Sequence, residues 1–134
     1  MESNEQVIRA FLAAWSRLDA HELAGYFTED AVYHNMPTSA AVGRAEVEAR
    51  IARFIGGWTA TQWEVVNLAS NGDVVIVERV DRTTAGARQV DLPCTGVFVM
   101  RDGKIAVWRD YFDLATYPRA MSRSEEHTSE LQSH

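Results

Sequence analysis

From Ala60 to Asp113 the chain falls into four period-two segments, 60–69, 73–84, 88–101 and 104–113, separated by Asn71-Gly72, Ala85-Gly86 and Asp102-Gly103. Asn-Gly and Asp-Gly are strong hairpin dipeptides because Asn, Asp and Gly tolerate positive φ. Strands joined by turns this short pair antiparallel, so this stretch predicts one meander. Ahead of it the period is helical. Ser3 and Gln6 form a capping-box pattern before Val7, Ile8, Phe11, Leu12, Trp15 and Leu18, which make one apolar stripe. Asp19 with Glu22 repeats the pattern and predicts a short second helix through Leu23 to about Phe27. A third helix follows Gly43, buries Val47, Ile51, Phe54 and Ile55, and ends at Gly56-Gly57. Between the last two helices, Ala31–Asn35 is strand-like and is stopped by Pro37. The two halves predict an α+β fold, a curved, antiparallel-dominated mixed sheet wrapped around three to four helices like a cone.

Composition narrows what such a fold can do. The 134 residues, 46% of them hydrophobic, suffice for one domain with its own core. Cys94 is the only cysteine, which excludes a disulfide scaffold. Thirteen basic against nineteen acidic residues, with no basic run, argue against a nucleic-acid partner. No apolar run approaches about 18 residues and no secretory signal opens the chain, so a soluble, cytoplasmic protein with no membrane role is expected. Residues 123–134 (RSEEHTSELQSH) lack apolar periodicity and resemble a translated sequencing adapter of the kind met in environmental reads. They are expected to be a non-native or disordered tail, leaving 1–122 as the single domain. The tail holds three of the acids, one base and two of the four histidines. Only His21 and His34 remain in the body, too few for a histidine-built metal centre.

Chemistry should show as polar groups on faces that ought to be apolar. Alternation in the last segment puts Ala106, Trp108, Asp110 and Phe112 on one face, with Ile105, Val107, Arg109, Tyr111 and Asp113 on the other. Asp110 is thus a carboxylate between two large aromatics, although a salt bridge at the sheet's end would explain it as simply. In the second segment Val75, Val77, Arg79 and Asp81 share a face. An exposed ion pair is the ordinary reading of that Arg and Asp. Tyr33 and Asn35 share a face of their short strand, which alone means little. Together, two carboxylates, an Arg, a Tyr and an Asn would suit activation of a water coupled to protonation of a leaving oxygen. An Arg between two acids can fix both by bidentate hydrogen bonds.

Register strains this convergence. Hairpins centred on Ala85-Gly86 and Asp102-Gly103 set Asp81 opposite Val90 and Asp110 opposite Thr95, five residues apart along the strands. A bulge at Pro93, which cannot donate to a ladder, is expected to close the gap, and a regular ladder there would defeat the paired-acid site.

The string Tyr26–Pro37, with Gly43-Arg44, Glu78-Arg79-Val80-Asp81, Gly103-Lys104-Ile105 and Trp108–Leu114, resembles the limonene-1,2-epoxide hydrolase family over almost the whole body. The Trp-Arg-Asp-Tyr-Phe-Asp string is shared by wider relatives of the nuclear-transport-factor-2-like, or SnoaL-like, cone fold. Tyr-x-Asn, Arg-x-Asp and Trp-Arg-Asp in one chain are more specific to the hydrolases. The resemblance implies that Asp110 is a general base acting on water held by Tyr33 and Asn35. It implies Asp81 as the general acid that protonates the epoxide oxygen, and Arg79 as the bridge. It further implies one-step trans opening of a small apolar, terpene-like epoxide, no metal or organic cofactor, and a homodimer. Two features depart from the pattern: the shorter Ala85-Gly86-Ala87 turn, and His34 between Tyr33 and Asn35, which alternation points away from both.

Trp108, Phe112, Met36 and Leu92 are the candidate substrate-lining residues. Trp15, Trp58 and Trp63 read as core or pocket wall, Cys94 as an inert buried thiol, and Arg109 and Asp113 as structural. Two other functions compete: an isomerase or cyclase of the ketosteroid-isomerase or polyketide-cyclase type, in which the Arg-x-Asp pair has no obvious role, and a non-enzymatic binding module, in which the two acids sit apart and solvated.

Overall fold

The computed structural model describes residues 2–116. The readings for the tail at 123–134 lie outside them. Helix α1 (Asn4–Ala14) begins with both halves of the expected box: Gln6 N–H donates to Ser3 Oγ at 3.1 Å and Ser3 N–H to Gln6 Oε1 at 2.8 Å. A 3-10 turn (Trp15–Arg17) and helix α2 (Ala20–Ala24) follow. Only half of the second box forms. Asp19 accepts from the Glu22 N–H, but the Glu22 carboxylate turns to Arg17 at 2.6 Å. Helix α2 stops earlier than expected, at Ala24 with Gly25 as its C-cap, and Phe27 opens strand β1 (Phe27–Asn35), four residues before the expected start. The chain continues through β2 (Ala41–Val42), which the sequence reading did not include, then α3 (Arg44–Ile55), β3 (Ala60–Asn71), β4 (Val74–Ala85), β5 (Arg88–Arg101) and β6 (Lys104–Tyr111).

The six strands form one sheet in the order β2-β1-β6-β5-β4-β3. All neighbours are antiparallel except β1 and β6, which run parallel. The α+β cone is therefore the observed architecture, with the helices held against the inner face of the sheet. Phe11, Trp15, Phe27, Phe98 and Trp108 are fully buried between them. Burial of each large apolar side chain contributes on the order of 1.5–3 kcal/mol. The rings meet mostly edge to face, as with Phe11 against Trp108 at 5.2 Å, and Trp15 stacks on Trp63 at 4.1 Å.

Three register findings correct the sequence reading. The β4–β5 turn is Gly86-Ala87, since Ala85 pairs with Arg88, so Asp81 lies opposite Leu92 rather than Val90. Ala106 is an extra residue in β6: Val99 pairs with Val107 but Met100 with Ile105. This bulge puts Ile105 on the buried face with Trp108, against the simple alternation, and moves Asp110 opposite Gly96. The β4–β5 ladder runs regularly past Pro93, where a bulge was expected. Pro93 is tolerated because β6 pairs with β5 only from Thr95 onward, which leaves Pro93 with a ladder neighbour on one side alone.

Candidate active site

Alternation along β4 directs Val75, Val77, Arg79 and Asp81 to the inner face, and all four are buried. The valines pack in the core, while Arg79 and Asp81 lie where the inner face opens into a cavity. Arg79 faces Cys94 on β5, midway between Leu92, opposite Asp81, and Gly96, opposite Asp110. The two acids are thus four residues apart along β5, and one long side chain covers the distance. Arg79 Nε donates to Asp81 Oδ1 at 2.8 Å and Nη2 to Asp81 Oδ2 at 3.1 Å. On its other edge Nη1 donates to Asp110 Oδ1 at 3.0 Å and Nη2 to Asp110 Oδ2 at 2.5 Å. A regular ladder at Pro93 therefore does not separate the acids: the reach of an arginine replaces the expected bulge.

Gly96 makes that reach possible. A Cβ there would lie 2.7 Å from Asp110 Oδ1, 2.8 Å from Arg79 Nη1 and 3.1 Å from Trp108 Nε1. The guanidinium lies 4.5 Å from the Trp63 ring and 5.6 Å from that of Trp108, so aromatic faces replace its water. Trp108 Nε1–H donates to Asp110 Oδ1 at 2.6 Å. Asp110 thus accepts from three side-chain N–H groups.

Strand β1 supplies the remaining polar groups. Its parallel pairing sets Asn35 beside Asp110 and Tyr33 beside Trp108, where the two rings stack at 4.2 Å. The Met36 N–H fastens the end of β1 to the Asp110 carbonyl at 2.8 Å. Tyr33 and Asn35 are both buried and both line the cavity with Asp81 and Asp110. His34 points the other way, its Nε2 2.7 Å from the Thr38 carbonyl oxygen.

Burial governs the protonation of these groups. Loss of hydration pushes the Asp81 carboxyl up to about 6, against the opposing pull of Arg79 and with help from the nearby Asp110 charge. Burial and then Asp110 hold the Tyr33 phenol well above its ordinary value, so it is a neutral donor. Burial also raises the Cys94 thiol, whose Sγ lies 3.4 Å from Asp81 Oδ2. For Arg79 burial works against the charge, but the carboxylates, Asp110 first, outweigh it and leave the guanidinium firmly protonated.

The cavity is about 330 Å³. Its buried end carries the two acids, Tyr33 and Asn35, and its walls are Trp15, Trp58, Trp63, Phe54, Leu92 and Phe112. Leu92 and Phe112 thus stand where the sequence reading put them. Met36 and Trp108 do not line it. Met36 lies outside the wall, and Trp108 is wholly buried behind Tyr33, where it supports Asp110. The sequence reading did not assign site roles to Gly96 or to Arg50 and Arg53, which edge the open end. A glycine in mid-strand was the available signal for Gly96. Among the described residues no three His, Cys, Asp or Glu side chains gather for a metal ion, and Arg79 fills the space between the two carboxylates. None of the described helices is long and apolar enough to cross a membrane.

Residues 2–123 match the family model of the limonene-1,2-epoxide hydrolase catalytic domain. Over 107 residues the chain is 31% identical to epoxide hydrolase EphG of Mycobacterium tuberculosis (strain ATCC 25618 / H37Rv), covering 80% of this chain and 71% of that protein. The solved structure of an M. tuberculosis LEH-like epoxide hydrolase superposes with a TM-score of 0.76 at 26% identity, over 90% of this chain and 91% of the other. A SnoaL-like polyketide cyclase from Shewanella denitrificans OS-217 superposes at 0.78 with 14% identity, over 90% and 97% of the two chains, a likeness of fold alone.

Proposed function

Because the chain belongs to the limonene-1,2-epoxide hydrolase family, we propose that it opens a small, apolar, terpene-like epoxide to a vicinal trans-diol in one step, without metal or organic cofactor. Water sits against Asp110, Tyr33 and Asn35. As its oxygen attacks a ring carbon, Asp110 takes one of its protons. The ring carbon–oxygen bond breaks on the far side, and Asp81 gives its proton to the departing oxygen. Attack from the face opposite the leaving oxygen makes the product trans. Each turnover leaves a proton on Asp110 and none on Asp81, and exchange of one proton restores the pair.

The observation that carries this reading is the double bidentate grip of Arg79 on two buried acids. It aligns a proton acceptor and a proton donor at one end of an apolar cavity, and Asp81, raised to about 6, retains a proton into the near-neutral range. In an isomerase of the ketosteroid type the Arg79 bridge between two acids has no obvious role. The reading is tested by incubating the protein with limonene-1,2-epoxide, cyclohexene oxide and related epoxides. Diol is expected from the wild type. Absence of diol from every epoxide overturns it. A homodimer belongs to the same proposal, supported by Val66, Ile76 and Tyr111, large apolar side chains exposed on the sheet. Sedimentation giving only monomer would remove that part.

A further inference from the structure

The cavity has two ends of opposite character. Among the described residues Asp81 and Asp110 are the only carboxylates that line it and both are buried, whereas the open end carries Arg50 and Arg53 beside Thr38 and Ser39. Positions 50, 53 and 54 lie on one face of α3, so the helix that contributes Phe54 to the apolar wall sets two guanidinium groups around it. Arg53 is exposed and Arg50 half-buried. Arg50 Nη1 donates to the Ser39 carbonyl at 2.9 Å, and among the described residues neither arginine has a carboxylate partner.

We propose that this rim holds an anionic group, and that the substrate is an epoxide carrying a carboxylate at the end away from the ring. The inference rests on the epoxide-hydrolase reading of the acid pair and adds a charged end group to the apolar body which that reading gives the substrate. A carboxylate matches the planar donor fork of arginine. At the other end the Arg79 donors are already taken by Asp81 and Asp110, so an anion finds free donors at the rim, which orients the substrate ring inward and carboxylate outward. The aromatic and aliphatic walls between the two ends take the hydrocarbon body.

Two measurements decide it. Octanoate and octanol, titrated calorimetrically, test the rim without any chemistry. Octanoate is expected to bind about tenfold tighter, as for a partly solvated charge-assisted pair. That preference should vanish in an Arg50→Gln/Arg53→Gln protein whose circular dichroism matches the wild type, and should shrink in about 1 M salt. Equal binding of the two, or a preference that survives the double substitution, overturns the proposal. Turnover of an epoxide of octanoic acid, its methyl ester and epoxyoctane separates this inference from the one beneath it. The acid should exceed the ester about tenfold in kcat/KM, with the ratio falling toward one in the double variant. Diol formed equally from acid and ester removes the anionic rim and leaves the hydrolase. No diol from any of the three, with octanoate selectivity intact, removes the hydrolase and leaves the anion site.

Discussion

Strand β4 builds the same motif twice, once on each face. On the inner face Arg79 lies between Asp81 and Asp110. Three residues on, Arg82 faces outward between Glu64 at 2.7 Å and Asp91 at 3.3 Å. Both are one arginine between two acids. The difference is water: the Arg79 side chain is 0% exposed and that of Arg82 45%. Outside, the solvent screens the charges and each acid is as well served by water as by its partner. Inside, the carboxylates depend on Arg79 and Trp108 for their donors, and Asp81 is pushed up to about 6. The chemistry of the site thus comes from where the motif is buried rather than from its composition.

Turnover should separate the two faces most widely. Asp110→Asn should reduce kcat/KM for a hydrolysed epoxide by about 10²–10⁴-fold, the range of a general-base contribution. Arg82→Gln should leave it within about twofold, by the same physical contrast. Initial rates of diol formation check both, and a comparable loss in the two proteins would erase the distinction between the faces.

Stability should divide in the same way. Arg79→Met leaves two buried carboxylates without their cation and is expected to cost about 3–5 kcal/mol. Arg82→Met should leave the urea midpoint where it was. Equal midpoints for the two variants would mean that the inner pair is better hydrated than its burial indicates. A smaller effect should follow from Gly96→Ala, whose methyl group meets Asp110, Arg79 and Trp108 at 2.7–3.1 Å. It should destabilise the fold by roughly 1–3 kcal/mol and reduce activity together, since it forces the bidentate grip apart.

The mildest effect is on pH dependence. Asp81 must be protonated to act as the acid, so kcat/KM should fall as pH rises through about 6. Its folded-state pKa lies above the ordinary carboxylate value. The stability it contributes is therefore complete below that value and lost as pH rises through about 6. The stability of the wild type relative to Asp81→Asn should decline across that window in urea titrations. A flat difference would place the proton elsewhere.

The local part of this arrangement was legible in the sequence. Period-two alternation put Arg79 and Asp81 on one face and Tyr33 and Asn35 on another, and the Asp102-Gly103 turn fixed its hairpin. What could not be read was non-local. The parallel pairing that sets Asn35 beside Asp110 leaves no mark in either strand. The extra residue at Ala106 reverses the face of Ile105 and shifts Asp110 by one position, and nothing in β6 announces it. The arginine's reach was underestimated because ladder counting measures the backbone, whereas the gap is closed by a side chain laid over a glycine. The cavity walls on α3 were read as core, since a helical stripe looks alike whether it meets a packed interior or a pocket.

In the proposed reaction the two acids joined by Arg79 drive direct attack of water on the ring. A single turnover in heavy-oxygen water, with enzyme in excess over epoxide, tests it most directly. Direct attack places the heavy oxygen in the diol during that first turnover, leaving the protein's carboxylates unlabelled. Diol that emerges unlabelled from the first turnover, with label appearing in Asp81 or Asp110, would mean a covalent ester intermediate and rule out direct attack.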